Sequence, residues 1–133
     1  MTLEEFNPKQ EKGETWIQTT RERAIAVVKR LKEERARLIT ITGVDDQTDM
    51  KVYYHFDLAG SIINLVIPLP KENPGVQSIV PVYPSADLYE RELAEMFNMR
   101  IEGHPDLKPL FLSKDLQGKA PLLKSFKGVK DII

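Results

Sequence analysis

Apolar residues recur at helical spacing in one stretch near the beginning of the chain. Positions i, i+3, i+4 and i+7 of this stretch are Ala24, Val27, Val28 and Leu31. A stripe of this kind is typical of an amphipathic helix that packs against a core. Thr19 followed by Glu22 fits a capping box, so we predict that this helix runs from residue 19 to about residue 36.

The segment after this helix alternates apolar and polar residues, which is the period of a β-strand. On this basis we predict four strands, over residues 38–42, 51–58, 63–69 and 78–84. Gly43 is expected to end the first of them. Pro68 and Pro70 lack the backbone N–H that a ladder needs, so the far end of the third strand is expected at a sheet edge.

A second helix is predicted over residues 86–97. Ser85 is a favourable N-cap, and Asp87 in the first turn suits the positive end of the helix dipole. The expected buried stripe of this helix consists of Tyr89, Leu93, Met96 and Phe97. A helix, a strand meander and a second helix predict an α+β domain of two layers, with a mostly antiparallel sheet of about four strands.

Three segments are expected along the chain. Residues 1–18 are mostly polar and are predicted to be a loosely ordered N-terminal arm, and residues 19–102 form the α+β domain. Residues 103–133 contain prolines and glycines that interrupt any long helix or strand. The same segment contains eleven large apolar residues, more than a solvated tail would hold. We predict that it is extended and lies on another surface, either that of its own domain or that of a partner.

Composition excludes several kinds of chemistry. The chain has no cysteine and two histidines, His55 and His104. The lack of thiols excludes disulfides, thiol catalysis and cysteine-ligated zinc or iron–sulfur sites. The net charge is −1, and no stretch approaches the roughly 20 apolar residues that cross a bilayer. We expect that this chain binds no metal and that it contacts a membrane only through a partner.

The second predicted helix carries a dense cluster of charge. Asp87, Arg91 and Glu95 are spaced at i, i+4 and i+8, so Arg91 is predicted to pair with both carboxylates. Glu90 and Glu92 are two residues apart and face different directions, so they do not form a close acid–base pair. No nucleophile or phosphate-binding glycine loop accompanies them, and we predict no catalysis by this chain alone.

The sequence pattern leaves open two functions, that of a J-domain-like co-chaperone and that of a nucleic-acid-binding module. His104-Pro105-Asp106 is the tripeptide of J-domain co-chaperones, which place it after a basic helix and before a long amphipathic one. Here the preceding helix is acidic, and prolines and glycines interrupt the segment after the tripeptide. The first helix has seven basic and three acidic residues from Arg21 to Arg37. Such a face suits nucleic acid, although interleaved aromatic residues are lacking.

The order of residues from 83 to 112, YPSADLYERELAEMFNMRIEGHPDLKPLFL, closely resembles the signature of the thirty-kilodalton subunit family of respiratory NADH dehydrogenase, or complex I. That signature has a proline, a small residue, Glu-Arg-Glu, an aromatic helix end and Gly-His-Pro-Asp-Leu. The matching positions are Pro84, Ala86, Glu90, Arg91, Glu92, Phe97, Gly103, His104, Pro105, Asp106 and Leu107. The match continues at Gly118, Pro121, Leu122, Lys124 and Phe126.

The chain departs from the respiratory members of this family at several later positions. It has Lys108-Pro109 in place of paired arginines, Leu123 in place of an arginine and Ser125 in place of an aspartate. In these departures it resembles relatives in membrane-bound nickel–iron hydrogenases and related ion-pumping complexes.

The resemblance implies a non-catalytic accessory subunit that holds no cofactor of its own. Such a subunit lies in the peripheral arm of a membrane complex, on the cytoplasmic side. The implied partners are a large catalytic subunit similar to the hydrogenase large subunit and iron–sulfur subunits, and these partners hold the iron–sulfur clusters and any nickel–iron centre. Residues 103–133 would then lie as a strap across the large subunit.

The resemblance also assigns roles to particular residues. Glu90 or Glu92 is expected to reach the loop after the second helix or the partner, and His104, Pro105 and Asp106 are expected to shape the turn where the strap begins. The residues expected to form the motif or contact a partner are Glu90, Arg91, Glu92, Gly103, His104, Pro105, Asp106, Leu107, Leu110, Pro121, Leu122, Lys124 and Phe126.

Overall fold

The computed structural model describes residues 3–46 and 48–105. The helices within these ranges are α1 (Ala24–Glu33) and α2 (Asp87–Phe97), and single turns of 3-10 helix lie at Glu4–Phe6 and Pro84–Ala86. The strands are β1 (Lys9–Glu11), β2 (Glu14–Gln18), β3 (Arg37–Asp45), β4 (Met50–Leu58), β5 (Ser61–Leu69), β6 (Gly75–Gln77) and β7 (Arg100–Glu102).

Five of these strands form one sheet in the order β1-β2-β5-β4-β3. β2 and β5 are parallel, and the other neighbouring pairs are antiparallel. Because β3 therefore runs parallel to β2, α1 is a crossover between two parallel strands. β6 and β7 form a separate parallel pair. The predicted α+β class with a mostly antiparallel sheet is confirmed, with five strands in the main sheet rather than about four.

Residues 9–18, which were predicted to belong to a loosely ordered arm, form the β1–β2 hairpin instead. Lys12 and Gly13 have positive φ angles of 52° and 80°, as a type I′ turn requires. β2 then pairs with β5, and Ile17 and Leu3 are completely buried. The partner strand of β2 lies much later in the sequence, so the local pattern gave no indication of this pairing.

α1 begins at Ala24, later than the predicted start at residue 19, and Arg23 is its N-cap. The backbone N–H of Thr19 donates to the carbonyl of Val66 at 3.0 Å. This bond extends the contact of β2 with β5 and displaces the predicted capping box. The apolar stripe of the helix is confirmed, since all four of its predicted residues are buried.

The C-terminus of α1 is a Schellman motif in which Arg35 takes the left-handed conformation, with φ at 67°. The N–H of Ala36 donates to the carbonyl of Leu31 at 2.9 Å.

Because glycine adopts the left-handed conformation without strain from a Cβ atom, Arg35→Gly is expected to raise the free energy of unfolding by about 0.5–1 kcal/mol. Urea unfolding followed by tryptophan fluorescence measures the change. At Lys29, an exposed interior position of α1, glycine is expected to lower the same quantity by about 1 kcal/mol. Equal effects at both positions would contradict the assignment.

The apolar run 78–84 is not the strand that its composition predicted. β6 ends at Gln77, and the residues after it form turns. Ile79 and Tyr83 are nevertheless buried, and the Tyr83 hydroxyl donates to the carbonyl of Ala36 at 2.7 Å. The run is apolar because these turns fold onto the core, not because they extend a sheet.

α2 begins at Asp87, after the 3-10 turn at Pro84–Ala86. No side chain caps its first turn, so the prediction of Ser85 as N-cap is wrong. The 3-10 turn leads the chain directly into the helix, and the N–H of Ala86 donates to the carbonyl of Tyr83 at 2.9 Å. Asp87 lies in the first turn as predicted.

α2 packs on β3 at Gly43, which was predicted to end that strand. The strand continues to Asp45, and a Cβ atom added at Gly43 would lie 2.7 Å from a ring carbon of Phe97 and 3.0 Å from a methyl carbon of Leu93. The glycine therefore lets the helix approach the strand backbone closely. The Tyr89 hydroxyl makes a further bond to the carbonyl of Ile39, at 3.0 Å.

The two faces of the main sheet differ in their surroundings. One face packs with both helices in a single core, to which alternate strand residues such as Ile41, Tyr54 and Leu65 contribute. On the other face His55 stacks on Tyr53 with ring centroids 6.2 Å apart.

Candidate functional site

Glu90 is the most unusual side chain of the signature motif, because it is a completely buried carboxylate. It lies on the face of α2 that packs against the rest of the domain. One carboxylate oxygen accepts from the hydroxyl of Ser78 at 2.6 Å, and the other accepts from the backbone N–H of Ile79 at 2.7 Å. Each oxygen thus has a donor, which is the arrangement that an enclosed carboxylate needs.

Glu90 ties α2 to the pair of short strands. Ser78 directly follows β6, and its own N–H donates to the carbonyl of Glu102, at the end of β7, at 2.7 Å. The Ser78 hydroxyl also lies 3.2 Å from the N–H of Val80, which donates to it. The carboxylate therefore fixes the turn after β6 at the place where β7 ends.

The turn after β7 brings His104 to the same carboxylate. Gly103 has a positive φ of 78°, a conformation that glycine adopts readily. The His104 side chain is completely enclosed, with Nε2 at 2.9 Å from Oδ1 of Asp87 and 3.9 Å from Oε1 of Glu90. Arg91 approaches the other oxygen of Asp87 at 3.8 Å. We call Ser78, Asp87, Glu90 and His104 the Glu90 cluster.

The environment of Glu90 changes its acidity. Burial raises the pKa of its carboxyl above the ordinary value of 4.5, because the enclosed site disfavours the charged form. The Ser78 hydroxyl, the Ile79 N–H and the positive charge of protonated His104 oppose this rise, while the charge of Asp87 adds to it. Burial also raises the pKa of Tyr54, and the Glu90 charge adds to that rise. The Glu90 carboxyl thus holds a proton more readily than an exposed glutamate does.

A pH dependence of stability follows from the raised pKa of Glu90. The folded state binds a proton more readily than the unfolded chain, so this group makes the free energy of unfolding fall as the pH rises from about 4.5 through the raised value. Glu90→Gln cannot titrate and is expected to lose this contribution. Urea unfolding of both proteins at a series of pH values measures the difference. Identical slopes in that range would contradict the prediction.

The structure places each predicted motif residue that it describes. Glu90 and His104 come together, and Arg91 pairs with Asp87 as predicted. Glu90 thus reaches the loop after α2 through His104, and it also holds the loop before the helix. Glu92 is half-buried on α2, and Pro105 is exposed. The predicted residues outside the described ranges are Asp106, Leu107, Leu110, Pro121, Leu122, Lys124 and Phe126.

Sequence reasoning missed Ser78 and the backbone of Ile79 as partners of Glu90. The serine stands at the beginning of an apolar run that was interpreted as a strand, and its position relative to Glu90 has no helical or strand spacing. A polar residue at the beginning of an otherwise buried run was the available signal.

A groove of about 210 Å³ reaches the Glu90 cluster at Ser78, and its other lining residues are Gln77, Pro81, Glu102 and Gly103. A groove of about 440 Å³ lies between Arg21, Gly75 and Arg100, where the two arginines bond to the backbone or side chain of Asn73. Among residues 3–46 and 48–105, no group of three or more histidine or acidic side chains is placed to hold a metal ion. Within the same residues, neither helix has the length and apolar character needed to cross a membrane.

The fold and the Glu90 cluster define a small α+β protein in which the signature residues join a helix, a turn and the end of a strand. The sequence pattern of the respiratory-chain NADH dehydrogenase 30 Kd subunit family matches residues 17–131. The chain belongs to this family, which confirms the resemblance found in residues 83–126.

Relatives of this chain come from several redox enzymes. The chain is 35% identical over 95 residues to the C subunit of the F(420)H(2) dehydrogenase of Methanosarcina mazei, and the match covers 68% of this chain and 60% of that protein. It is 34% identical over 122 residues to the C subunit of the NADH-quinone oxidoreductase of Rhizobium johnstonii, covering 86% of this chain and 60% of that protein. The chain thus spans about three fifths of the length of these relatives.

Two solved structures have the same fold. A trypsin-resistant fragment (1-134) of Nqo5 is 26% identical, with a TM-score of 0.69, and the match covers 79% of this chain and 96% of the fragment. A chain of the membrane-bound sulfane sulfur reductase, an archaeal respiratory membrane complex, has a TM-score of 0.86 at 20% identity. That match covers 96% of this chain and 82% of the other, and it supports the fold alone.

Proposed function

We propose that this chain is a non-catalytic assembly subunit in the peripheral arm of a membrane-bound, energy-converting redox complex. In this proposal residues 103–133 dock on the large catalytic subunit, which is similar to a hydrogenase large subunit, and further contacts are made with iron–sulfur subunits. The chain holds no cofactor, and its partners hold the iron–sulfur clusters and any nickel–iron centre. It lies on the cytoplasmic side and reaches the membrane only through those partners.

The observation that carries this proposal is the position of the Glu90 cluster, which lies at the beginning of the predicted docking segment, residues 103–133. The cluster holds the turn at residues 103–105 against α2, and the segment with eleven large apolar residues begins directly after it. The family pattern continues to residue 131, so the segment belongs to the part of the chain that the family shares. A segment whose first residues are held by their own domain and whose later residues are apolar is suited to lie on the surface of a partner.

The variety of the relatives supports a role in assembly rather than in one reaction. Their names include an F(420)H(2) dehydrogenase and NADH-quinone oxidoreductases, which differ in electron donor. In Methylococcus capsulatus a relative that is 45% identical over 62 residues carries the double letter C/D in its name, and the match covers 10% of that protein.

The other two functions have weaker support. A J-domain tripeptide would need an accessible histidine, whereas the His104 side chain is completely enclosed. A nucleic-acid-binding face would need free basic residues on α1. In α1, Arg30 instead lies 3.7 Å from Glu33 and 3.9 Å from Glu34. In the turn before α1, Arg21 lies 3.8 Å from Glu22.

Affinity purification of the tagged full chain from its own cells, in mild detergent, tests the proposal. We expect a hydrogenase-like large subunit together with iron–sulfur and membrane subunits, identified by mass spectrometry. Leu122→Ser with Phe126→Ser is expected to lower this recovery at least about 100-fold, because each large apolar contact contributes about 1.5–3 kcal/mol. Lys114→Ser with Lys119→Ser is the matched control and is expected to keep most of it. Recovery of the chain alone would contradict the proposal, and so would equal recovery with both double variants.

A further inference from the structure

His104 is an enclosed titratable group at the last described turn of the chain. Its side chain has no exposed surface, and Nε2 lies 2.9 Å from Oδ1 of Asp87. The next residue is Pro105, and the predicted strap begins after it. The ring of this histidine lies beside two carboxylates of α2, those of Asp87 and Glu90.

Three elements supply the charged, titratable and polar groups around His104 and Glu90. α2 supplies Asp87 and Glu90, as well as Arg91 at 3.8 Å from the second oxygen of Asp87. β4 supplies Tyr54, whose hydroxyl is in electrostatic contact with Glu90. The turn after β6 supplies the Ser78 hydroxyl, which is uncharged. With Asp87, Glu90 and Arg91 charged, these groups carry one net negative charge when His104 is neutral, and none when it is protonated.

We propose that Asp87, Glu90 and His104 form a proton-dependent latch. The protonated imidazole holds the turn at residues 103–105 against α2, and loss of its proton loosens that turn. Asp87 is the nearer acceptor, at 2.9 Å, and Glu90 adds a second negative charge at 3.9 Å. The latch thus links the local proton concentration to the position from which residues 106–133 depart. It lies within this chain, and it does not rest on the identity of a partner.

The bond between Ser78 and Glu102 reports on the latch. The N–H of Ser78 donates to the Glu102 carbonyl at 2.7 Å, two residues before His104, and Ser78 is buried. Opening of the turn exposes this N–H to exchange with solvent. Asp87 and Glu90 attract the protonated ring more strongly than the neutral one, so the protection of this amide is expected to fall about fivefold when His104 loses its proton.

The experiment uses NMR spectroscopy on the full chain. Since the chain has two histidines, His55→Gln leaves one set of ring resonances, and the pH at which His104 changes charge is read directly. Amide exchange rates of Ser78 are measured over pH 5 to 8, the range in which histidines titrate, and are divided by the intrinsic rate at each pH. The N–H of Leu65, in the main sheet, is the internal reference.

Three outcomes decide the proposal. We expect the protection of Ser78 to follow the titration of His104 in the natural chain and in His55→Gln. In His104→Gln, which keeps a donor but no charge, protection is expected to be low, and its remaining change with pH is expected to follow the raised pKa of Glu90. If that variant does not fold, Asp87→Asn serves instead, and the change in the protection of Ser78 should then be smaller. Constant protection across the titration of His104, or a His104 that never changes charge between pH 5 and 8, would overturn the latch.

Discussion

Glu90→Ala is expected to lower the free energy of unfolding by about 3–5 kcal/mol. The alanine leaves the buried Ser78 hydroxyl and the Ile79 N–H without their acceptor, and each such loss is unfavourable by about 1–3 kcal/mol. The change also removes a negative charge beside His104, at 3.9 Å. Urea unfolding followed by the fluorescence of the single tryptophan measures the effect.

The control for Glu90→Ala is the same substitution at Glu92, on the same helix. Glu92 is half-buried, and a loss of less than about 1 kcal/mol is expected there. Glu90→Gln keeps one acceptor oxygen and is expected to lie between the two. An effect at Glu90 no larger than that at Glu92 would mean that the Glu90 cluster does not hold the fold together.

Gly43→Val is expected to lower the free energy of unfolding by more than about 3 kcal/mol. Already the first added carbon would lie 2.7 Å from the Phe97 ring, and overpacking in a core is unfavourable by about 1–3 kcal/mol even for small insertions. The helix must move away from β3 to admit the side chain, which would strain the bond between Tyr89 and Ile39. Gly43→Ala is expected to show a smaller loss of about 1–3 kcal/mol. Urea unfolding measures both losses.

The matched control for Gly43 is Thr42→Val, which puts the same side chain at the next position of the same strand. Thr42 is exposed, so a change of no more than about 0.5 kcal/mol is expected there. Phe97→Leu makes room beside Gly43, and the double variant Gly43→Ala with Phe97→Leu should lose less than the sum of its single changes. Additive losses would contradict the packing of α2 on this glycine.

The sequence pattern predicted elements whose partners are close in the chain. β4 and β5 are joined by a two-residue turn at Ala59-Gly60, and β4 alternates buried and half-buried residues as its sequence predicts. The predicted apolar positions of β5 are all buried, although Asn64 and Val66 between them are buried as well. The buried stripe of α1 also follows from local spacing, whereas in α2 only Leu93 and Phe97 of the predicted stripe are buried, Tyr89 and Met96 are half-buried, and Glu90 is buried instead. In these cases the residues that pack together lie within a few positions of one another, so their periodicity is sufficient.

The predictions failed where a distant partner determines the structure. Thr19 fits a capping box, but its N–H is taken by Val66 of β5. Glycine is common where strands end, but Gly43 lies inside β3 and allows α2 to approach that strand closely. Ser78 belongs to an apolar run, but Glu90 takes its hydroxyl. The local sequence pattern cannot distinguish these alternatives, because the contact that decides each one is made with an element distant in the sequence.

The Glu90 cluster gives a physical reason for the signature of this family. Glu90 holds the turn after β6, Arg91 approaches Asp87 at 3.8 Å, and His104 closes the turn after β7 on both carboxylates. These residues contact one another within the fold. A motif of this kind is suited to holding the beginning of a docking segment, and it is compatible with complexes that use different electron donors.

Cross-linking mass spectrometry on the purified complex tests the central claim most directly. Residues 106–133 contain six lysines, including Lys114, Lys119 and Lys124, which an amine-reactive reagent can join to neighbouring subunits. If the segment is a strap, these lysines will link to the hydrogenase-like large subunit, and the links will disappear when Leu122 and Phe126 are replaced with serine. Links that join these lysines only to residues 3–105 of the same chain would mean that the segment covers its own domain, and the docking account would then be wrong.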